Sequence, residues 1–280
     1  MNFSSASKTI RDYYDSALRI SPAIEEAREA FHSRHLVTQL ARRDILTRYK
    51  RSYLGVAWTM LNPLGTMLIL SIVFYQAFGG GQKDYAAYIL SGLISWNFFA
   101  QTTNAATVNL VWGGSLLRRI YVPRTVFALA ATATGLLNLV LSLIPLILVM
   151  LLTGVPIRPS ILLLPIPILF LTMFSLGIGL LISSIAIFFA DVAEMYGIVL
   201  TAWFYLTPII YPVSIIPERF LPIYLLNPML YMISLFRTVI FYGQVPSLSQ
   251  FLISGGIATV ALAIGWIFFA HRADEFAYRV

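Results

Sequence analysis

The sequence predicts an all-α membrane protein. It has six transmembrane helices, an amphipathic interface helix ahead of the first, two short re-entrant helices between spans 5 and 6, and both termini in the cytoplasm. Three observations carry that expectation. Hydrophobic residues make up 59% of the 280-residue chain and charged residues 11%, whereas a soluble domain carries about 25% charged residues to face water. The charges bracket long uncharged runs, and about 20 apolar residues suffice to cross a bilayer. Lys and Arg are also distributed unevenly between alternate connections, which is how orientation is written into membrane proteins.

The elements follow in chain order. Residues 1–33 form a polar extension with Asp12, Asp15, Glu25, Glu26 and Glu29 and no secretory apolar core, so the first span must act as the insertion signal. Within it, Ser21-Pro22 followed by Glu25 and Glu26 reads as a helix start, giving a short helix to about Ser33. Over 34–52, Val37, Ala41, Ile45 and Tyr49 recur every fourth residue opposite Arg42, Arg43 and Lys50, the pattern of a helix lying on the cytoplasmic leaflet. Asp44 and Arg48 sit at i,i+4 in the favourable order for a pair.

Uncharged runs then place spans near 55–78, 85–112, 126–153, 161–188, 195–212 and 249–270, within a transmembrane domain of residues 53–272 and before a cytoplasmic tail of 273–280. The stretch 213–245 contains Pro217, Pro222 and Pro228, and its apolar pieces are too short to cross. It reads as two helices dipping in from outside, or as an external loop with an apolar patch. With the N-terminus inside, 15 Lys and Arg fall on cytoplasmic segments. Four fall outside: Lys83, Arg158, Arg219 and Arg237. An even span count agrees with both termini inside.

The chemistry is sparse. Net charge is +7, but the basic residues cluster at span ends, which fits membrane orientation rather than nucleic acid. There is no cysteine, and His32, His35 and His271 lie outside the apolar runs, so no metal site is visible. No GxxxxGK[ST], GxSxG or HExxH motif occurs. The one acidic pair at a membrane boundary, Asp191 and Glu194, reads as a solvated turn, with a catalytic pair the alternative. The predicted spans contain no ionisable residue, so a proton relay lacks its usual groups and energy must enter through a partner chain. Ser175, Gly179 and Ser183, and Ala131 with Gly135, form small-xxx-small series suited to close packing within the monomer or across a dimer. Aromatics crowd the span ends. Among them Trp96, Phe98, Phe99, Tyr205 and Tyr211 are either interface anchors or faces for sugar rings in a pore.

The segment D-I-L-T-R-Y-K-R-S-Y-L-G-V-A-W-T-M-L-N-P at 44–63 resembles the entry to the first span in permease subunits of ATP-binding-cassette polysaccharide exporters, of the O-antigen, capsule and teichoic-acid type. L-R-R-I-Y-V-P at 117–123, F-F-A-D-V at 188–192, W-F-Y-L-T-P-I-I-Y at 203–211 and N-P at 227–228 extend the resemblance in the same order over residues 34–272. The extension of some thirty residues before the interface helix departs from compact members.

The resemblance implies a second copy of the chain and two ATPase subunits, with ATP and Mg on those partners and no cofactor on this chain. It implies an ATPase interface at Asp44 and Arg48 and at a coupling loop of Ser115, Leu116, Leu117, Arg118, Arg119, Ile120, Tyr121 and Pro123. It also implies a lipid-linked polysaccharide or polyol-phosphate cargo in the bacterial cytoplasmic (inner) membrane. Arg48, Lys50 and Arg51 are candidate contacts for the carrier diphosphate at the cytoplasmic gate, or positive-inside residues meeting anionic lipid. A permease for small lipids or drugs, and a membrane enzyme acting on lipid-linked sugars, are the alternatives.

Overall fold

The computed structural model describes residues 22–48, 50, 52–79, 84–112, 123–273 and 275, and these contain helices and connections but no strand. Ten α-helices follow one another: α1 (Pro22–His32), α2 (Arg34–Arg48), α3 (Trp58–Phe74), α4 (Tyr85–Trp112), α5 (Thr125–Thr153), α6 (Pro165–Phe188), α7 (Asp191–Leu206), α8 (Leu221–Leu225), α9 (Pro228–Ile240) and α10 (Leu248–Arg272). A 3-10 turn precedes α3 and a π-helical turn follows it.

Among the described residues, four helical stretches are long and apolar enough to cross a membrane: Gly55–Phe78, Thr125–Thr153, Pro159–Phe188 and Leu248–Arg272. The other two predicted spans differ from them for separate reasons. Helix α4 has the length, at 28 residues, but carries amides and hydroxyls among its apolar residues. Helix α7 has only 16 residues, since it begins at Asp191 and stops at Leu206, short of the expected 212. Pro208 and Pro212 lack the N–H that helix continuation needs, and the chain leaves the helix at Thr207, whose backbone is extended. Asp191 and Glu194, read as a turn, instead occupy the first turn of α7, where carboxylates favour the helix dipole.

Helix α4 is the centre of the bundle, packed on α3, α5, α6, α7 and α9. Its buried side supplies Ile89, Leu90, Leu93, Ile94, Trp96 and Phe99 to the main core. A smaller core at the other end joins Ala106 and Leu110 of α4 to Phe127, Ala131, Leu180 and Phe269. The small residues serve packing inside this chain. A methyl on Gly177 would collide with the backbone of Ala261, and one on Gly265 with the carbonyl of Gly177, so α6 and α10 touch backbone to backbone. Gly179 lies against Ala106 and Thr103, Gly135 against Thr102 and Phe98, and Ser175 and Ser183 are fully buried.

The N-terminal helices close one end. Helix α2 packs along α5 with Ala41 buried, so part of its apolar face meets protein. Helix α1 reaches two other elements. The backbone N–H and the hydroxyl of Thr125, at the start of α5, both donate to Glu26 Oε1, at 3.3 and 3.0 Å. The indole of Trp266 in α10 donates to the Ala23 carbonyl at 3.0 Å. Burial raises the Glu26 carboxyl above its ordinary range and Glu29 adds to this, while the two Thr125 donors and Arg124 oppose it.

Candidate functional site

Two polar features stand on α4, one toward each end. The first is a cleft of about 810 Å³ between α3, α4 and α5. Its walls present six carboxamides: Asn62 on α3, Asn97, Gln101, Asn104 and Asn109 on α4, and Asn138 on α5. Asn97, Gln101 and Asn104 fall at i, i+4 and i+7, which puts them on one stripe of the helix. From Asn97 to Asn104 the stripe runs roughly 10 Å at the α-helical rise, and Asn109 lines the cleft beyond it. None of the six makes a side-chain hydrogen bond among the described residues. A carboxamide has two donors and an acceptor with two lone pairs, so the cleft holds many unspent polar groups and, among the described residues, no charged side chain. Trp58 and Phe98 add ring surface to it.

A second cavity of about 400 Å³ continues from it and shares Gln101, Asn109 and Asn138. Thr102 and Thr134 line it with buried hydroxyls that have no partner among the described residues. Its one described charged residue is Asp44, whose Oδ1 takes Arg43 Nη2 at 3.2 Å. Polar groups with unspent hydrogen-bonding capacity are costly against hydrocarbon. Their concentration in two cavities with shared lining suits a space filled by water or a polar ligand.

The second feature is a clamp toward the other end of α4. Arg237 of α9, counted as an external loop cation in the sequence reading, is buried to 5% exposure. Its guanidinium donates to the carbonyls of Pro208 at 2.8 Å, Ile209 at 2.7 Å and Tyr88 at 3.2 Å, to the Tyr88 hydroxyl at 2.8 Å and to Ser91 Oγ at 3.4 Å. It also lies 3.7 Å from the Tyr88 ring centroid. The next two carbonyls of the unwound segment accept from tyrosines: Ile210 from Tyr85 at 2.9 Å and Tyr211 from Tyr88 at 3.2 Å. Four consecutive carbonyls, 208–211, are thus satisfied by side chains where no helix or sheet can do it. Gly92 makes the space, since a methyl there would collide with Arg237 Nη2.

Asn227 completes the join. Its Oδ1 accepts from Trp203 Nε1 and caps α9 through Met229 N, while its Nδ2 donates to Thr207 Oγ1 at 2.9 Å. Pro228 then fills the first helical position, where no N–H is needed. The W-F-Y-L-T-P-I-I-Y and N-P motifs are therefore two halves of one hydrogen-bonded join.

The sequence-predicted site residues divide between places. Phe98 lines the amide cleft. Trp96 and Phe99 lie in a buried ring cluster with Trp203, Phe204 and Phe174, and neither lines the cleft. The reason is register: they sit on the opposite side of α4 from the amide stripe. Tyr205 is exposed, and the Tyr211 hydroxyl donates to its carbonyl at 2.8 Å. Asp44 borders the second cavity and Lys50 is exposed. Pro123 is buried just before α5. Arg51, the coupling-loop residues Ser115, Leu116, Leu117, Arg118, Arg119, Ile120 and Tyr121, and the side chain of Arg48 lie outside the described residues. Asp191 and Glu194 are exposed. No group of three His, Asp or Glu that could hold a metal occurs among the described residues.

The sequence reading missed both the amide stripe and the Arg237 clamp. The stripe carries a signal, since four amides recur within thirteen residues of an otherwise apolar helix. A search of spans for charge alone passes over it.

Known proteins of similar sequence cover nearly the whole chain. An O-antigen export system permease protein of Myxococcus xanthus is 27% identical over 257 residues, spanning 91% of this chain and 98% of the relative. One from Klebsiella pneumoniae is 29% identical over 235 residues, spanning 82% and 90%. A polysialic acid transport protein of Escherichia coli is 25% identical over 224 residues, spanning 78% and 86%. The ABC-2 type transporter pattern matches residues 35–241, from the start of α2 through the end of α9, and the chain belongs to that family.

Proposed function

We propose that this chain is the permease subunit of a polysaccharide exporter in the bacterial cytoplasmic membrane, driven by ATP hydrolysis on separate ATPase subunits. The observation that carries the reading is the amide cleft, a polar surface with no charge among its described residues, cut into an apolar bundle. A sugar hydroxyl both donates and accepts, as a carboxamide does. A glycan can therefore trade water for amides and pass them in turn along the α4 stripe, while a lipid carrier keeps its apolar tail in the bilayer. The relatives named as O-antigen permeases support the same cargo class.

In this reading the chain crosses six times, with both termini in the cytoplasm. Two copies enclose the path. Helices α3 and α7 both pack on α4 and carry many exposed apolar side chains, among them Leu68, Ile72, Ile198 and Tyr205, which suits faces left for a second copy or for lipid. Helices α8 and α9 dip in from outside, and the clamp at Arg237 holds them to the break after α7. Asp44, Arg48 and the loop Ser115–Pro123 meet the ATPase, while Arg48, Lys50 and Arg51 meet the carrier diphosphate.

The test is ATP hydrolysis in lipid nanodiscs by this chain with the ATPase encoded beside it, with lipid-linked glycan added. Hydrolysis that needs both chains and responds to glycan is expected. Failure of the two chains to associate would overturn the reading.

A further inference from the structure

We propose that the amide cleft selects an electrically neutral, hydroxyl-rich chain over a polyanionic one such as a polysialic acid or a polyol phosphate. The inference takes its general cargo from the exporter reading and narrows it by charge. Three observations lead there. All six carboxamides face the cleft with no side-chain hydrogen bond of their own among the described residues. No cation lines either cavity among those residues, and the one charged group is the carboxylate of Asp44. The two buried hydroxyls of Thr102 and Thr134 also lack partners among the described residues, so unspent polar capacity continues into the second cavity.

The physical argument is one of matching. Hydroxyl and carboxamide are each donor and acceptor, so a neutral sugar can bind in many rotations and exchange partners as it slides. Successive amides on α4 are spaced about 6 Å and about 4.5 Å along the axis, steps on the scale of one sugar ring. A carboxylate or phosphate accepts only. It would turn away every amide oxygen and satisfy only N–H groups, and it would leave water without meeting a cation among the described lining residues. Desolvation of an ion with no counter-charge costs several kcal/mol or more in a low-dielectric site, and the carboxylate of Asp44 adds repulsion. The one fully buried cation nearby, Arg237, has its N–H donors committed to Pro208, Ile209, Tyr88 and Ser91, so it is not available to an anion.

The experiment uses the nanodisc complex of this chain with its ATPase and two probes of equal length, maltoheptaose and a sialic acid heptamer, followed by saturation-transfer NMR. Maltoheptaose should bind at least about tenfold more tightly, the ratio that 1.4 kcal/mol provides. The double substitution Gln101→Leu with Asn104→Leu should abolish that binding while the chain still copurifies with its ATPase. Asn104→Arg should shift preference toward the acidic oligomer, a gain that misfolding cannot produce. Equal or tighter binding of the acidic oligomer to the unaltered chain would overturn the proposal, as would no binding of either probe, or maltoheptaose binding that survives the double substitution. A complex that fails to form, with the neutral preference intact on this chain alone, would overturn the exporter reading and leave the charge selectivity standing.

Discussion

Replacing Arg237 by Met removes the one side chain that satisfies the Pro208 and Ile209 carbonyls at the unwound end of α7. Methionine has comparable reach and fits an apolar core, so little volume is lost. Each orphaned carbonyl costs about 1–3 kcal/mol when buried, and loss of the contact with the Tyr88 ring adds about 1 kcal/mol. Relief of the buried guanidinium's own desolvation offsets part of this. A net cost of about 3 kcal/mol for the local structure follows, roughly a hundredfold increase in the open population at 1.4 kcal/mol per tenfold. The chain has no cysteine, so a single Ile210→Cys substitution reports opening without background. Ile210 is buried to 4% exposure. A membrane-impermeant maleimide should label that site about a hundredfold faster in the Arg237→Met background, in proportion to the open population.

Arg237→Lys should be only a partial rescue, since an ammonium lacks the planar fork that reaches several acceptors at once. Gly92→Ala should mimic the loss without touching Arg237, because the added methyl takes the space of Nη2. Wild-type labelling and an unchanged melting temperature in Arg237→Met would refute the argument that these bonds hold the segment.

Other expectations follow from the cytoplasmic end. Gly55 has φ of +46° with open space around the position of a Cβ. Gly55→Val should therefore cost about 1–2 kcal/mol through backbone strain rather than a clash, read as a lower melting temperature, and an unchanged one would show that the turn relaxes freely. The folded-state pKa of Glu26 is raised, chiefly by burial. Its contribution to the docking of α1 is then fully present below the unfolded glutamate value of about 4.3 and is lost as pH rises through the higher folded value. Hydrogen exchange of residues 22–32, corrected for intrinsic rates, should speed up with pH, and Glu26→Gln should flatten that rise; equal slopes would exclude the linkage. Arg118→Glu with Arg119→Glu should weaken ATPase docking while the permease still folds, and copurification at wild-type yield would count against that interface.

How much of this was legible depended on whether a residue's chemistry is expressed along its own helix or across the fold. The all-helical character of the described residues followed from runs such as 125–153, where composition alone is decisive. The helix at Pro22–His32 has Pro22 and, in its first turn, Glu25 as local signals. The end of α7 was misplaced by six residues because apolar composition continues through Ile209 and Ile210. Only Pro208 signals the break, and the partners that satisfy it come from Tyr85, Tyr88 and Arg237, far away in sequence. Arg237 itself was counted as an external cation because a charge in a proline-rich stretch ordinarily faces water. Its burial depends on the carbonyls brought to it by Thr207–Tyr211 and on the gap left by Gly92. Trp96 and Phe99 were candidates for the path by type, and their place in the core was set by register on α4, which no single-residue preference encodes.

Helix α4 carries both features, and the difference between them separates architecture from function. At Tyr88 and Ser91 the polar atoms are paired with Arg237, and the clamp they form has no hydrogen-bonding capacity to offer a ligand. At Asn97, Gln101 and Asn104 the polar atoms have no protein partner and stand in an open cleft. Paired groups inside a membrane protein contribute to stability, whereas unpaired ones only cost, unless water or cargo meets them. The two sets should then respond in opposite ways. Ser91→Ala with Tyr88→Phe leaves part of the buried guanidinium unsatisfied and should lower stability by about 1–3 kcal/mol, with export falling only as folding does. Gln101→Leu with Asn104→Leu removes groups that lose nothing inside the protein. It should leave the melting temperature unchanged or raised while export stops. A stripe substitution that destabilises the chain as much as the clamp substitution would mean that the amides hold the bundle together, and the transport path would have to lie elsewhere.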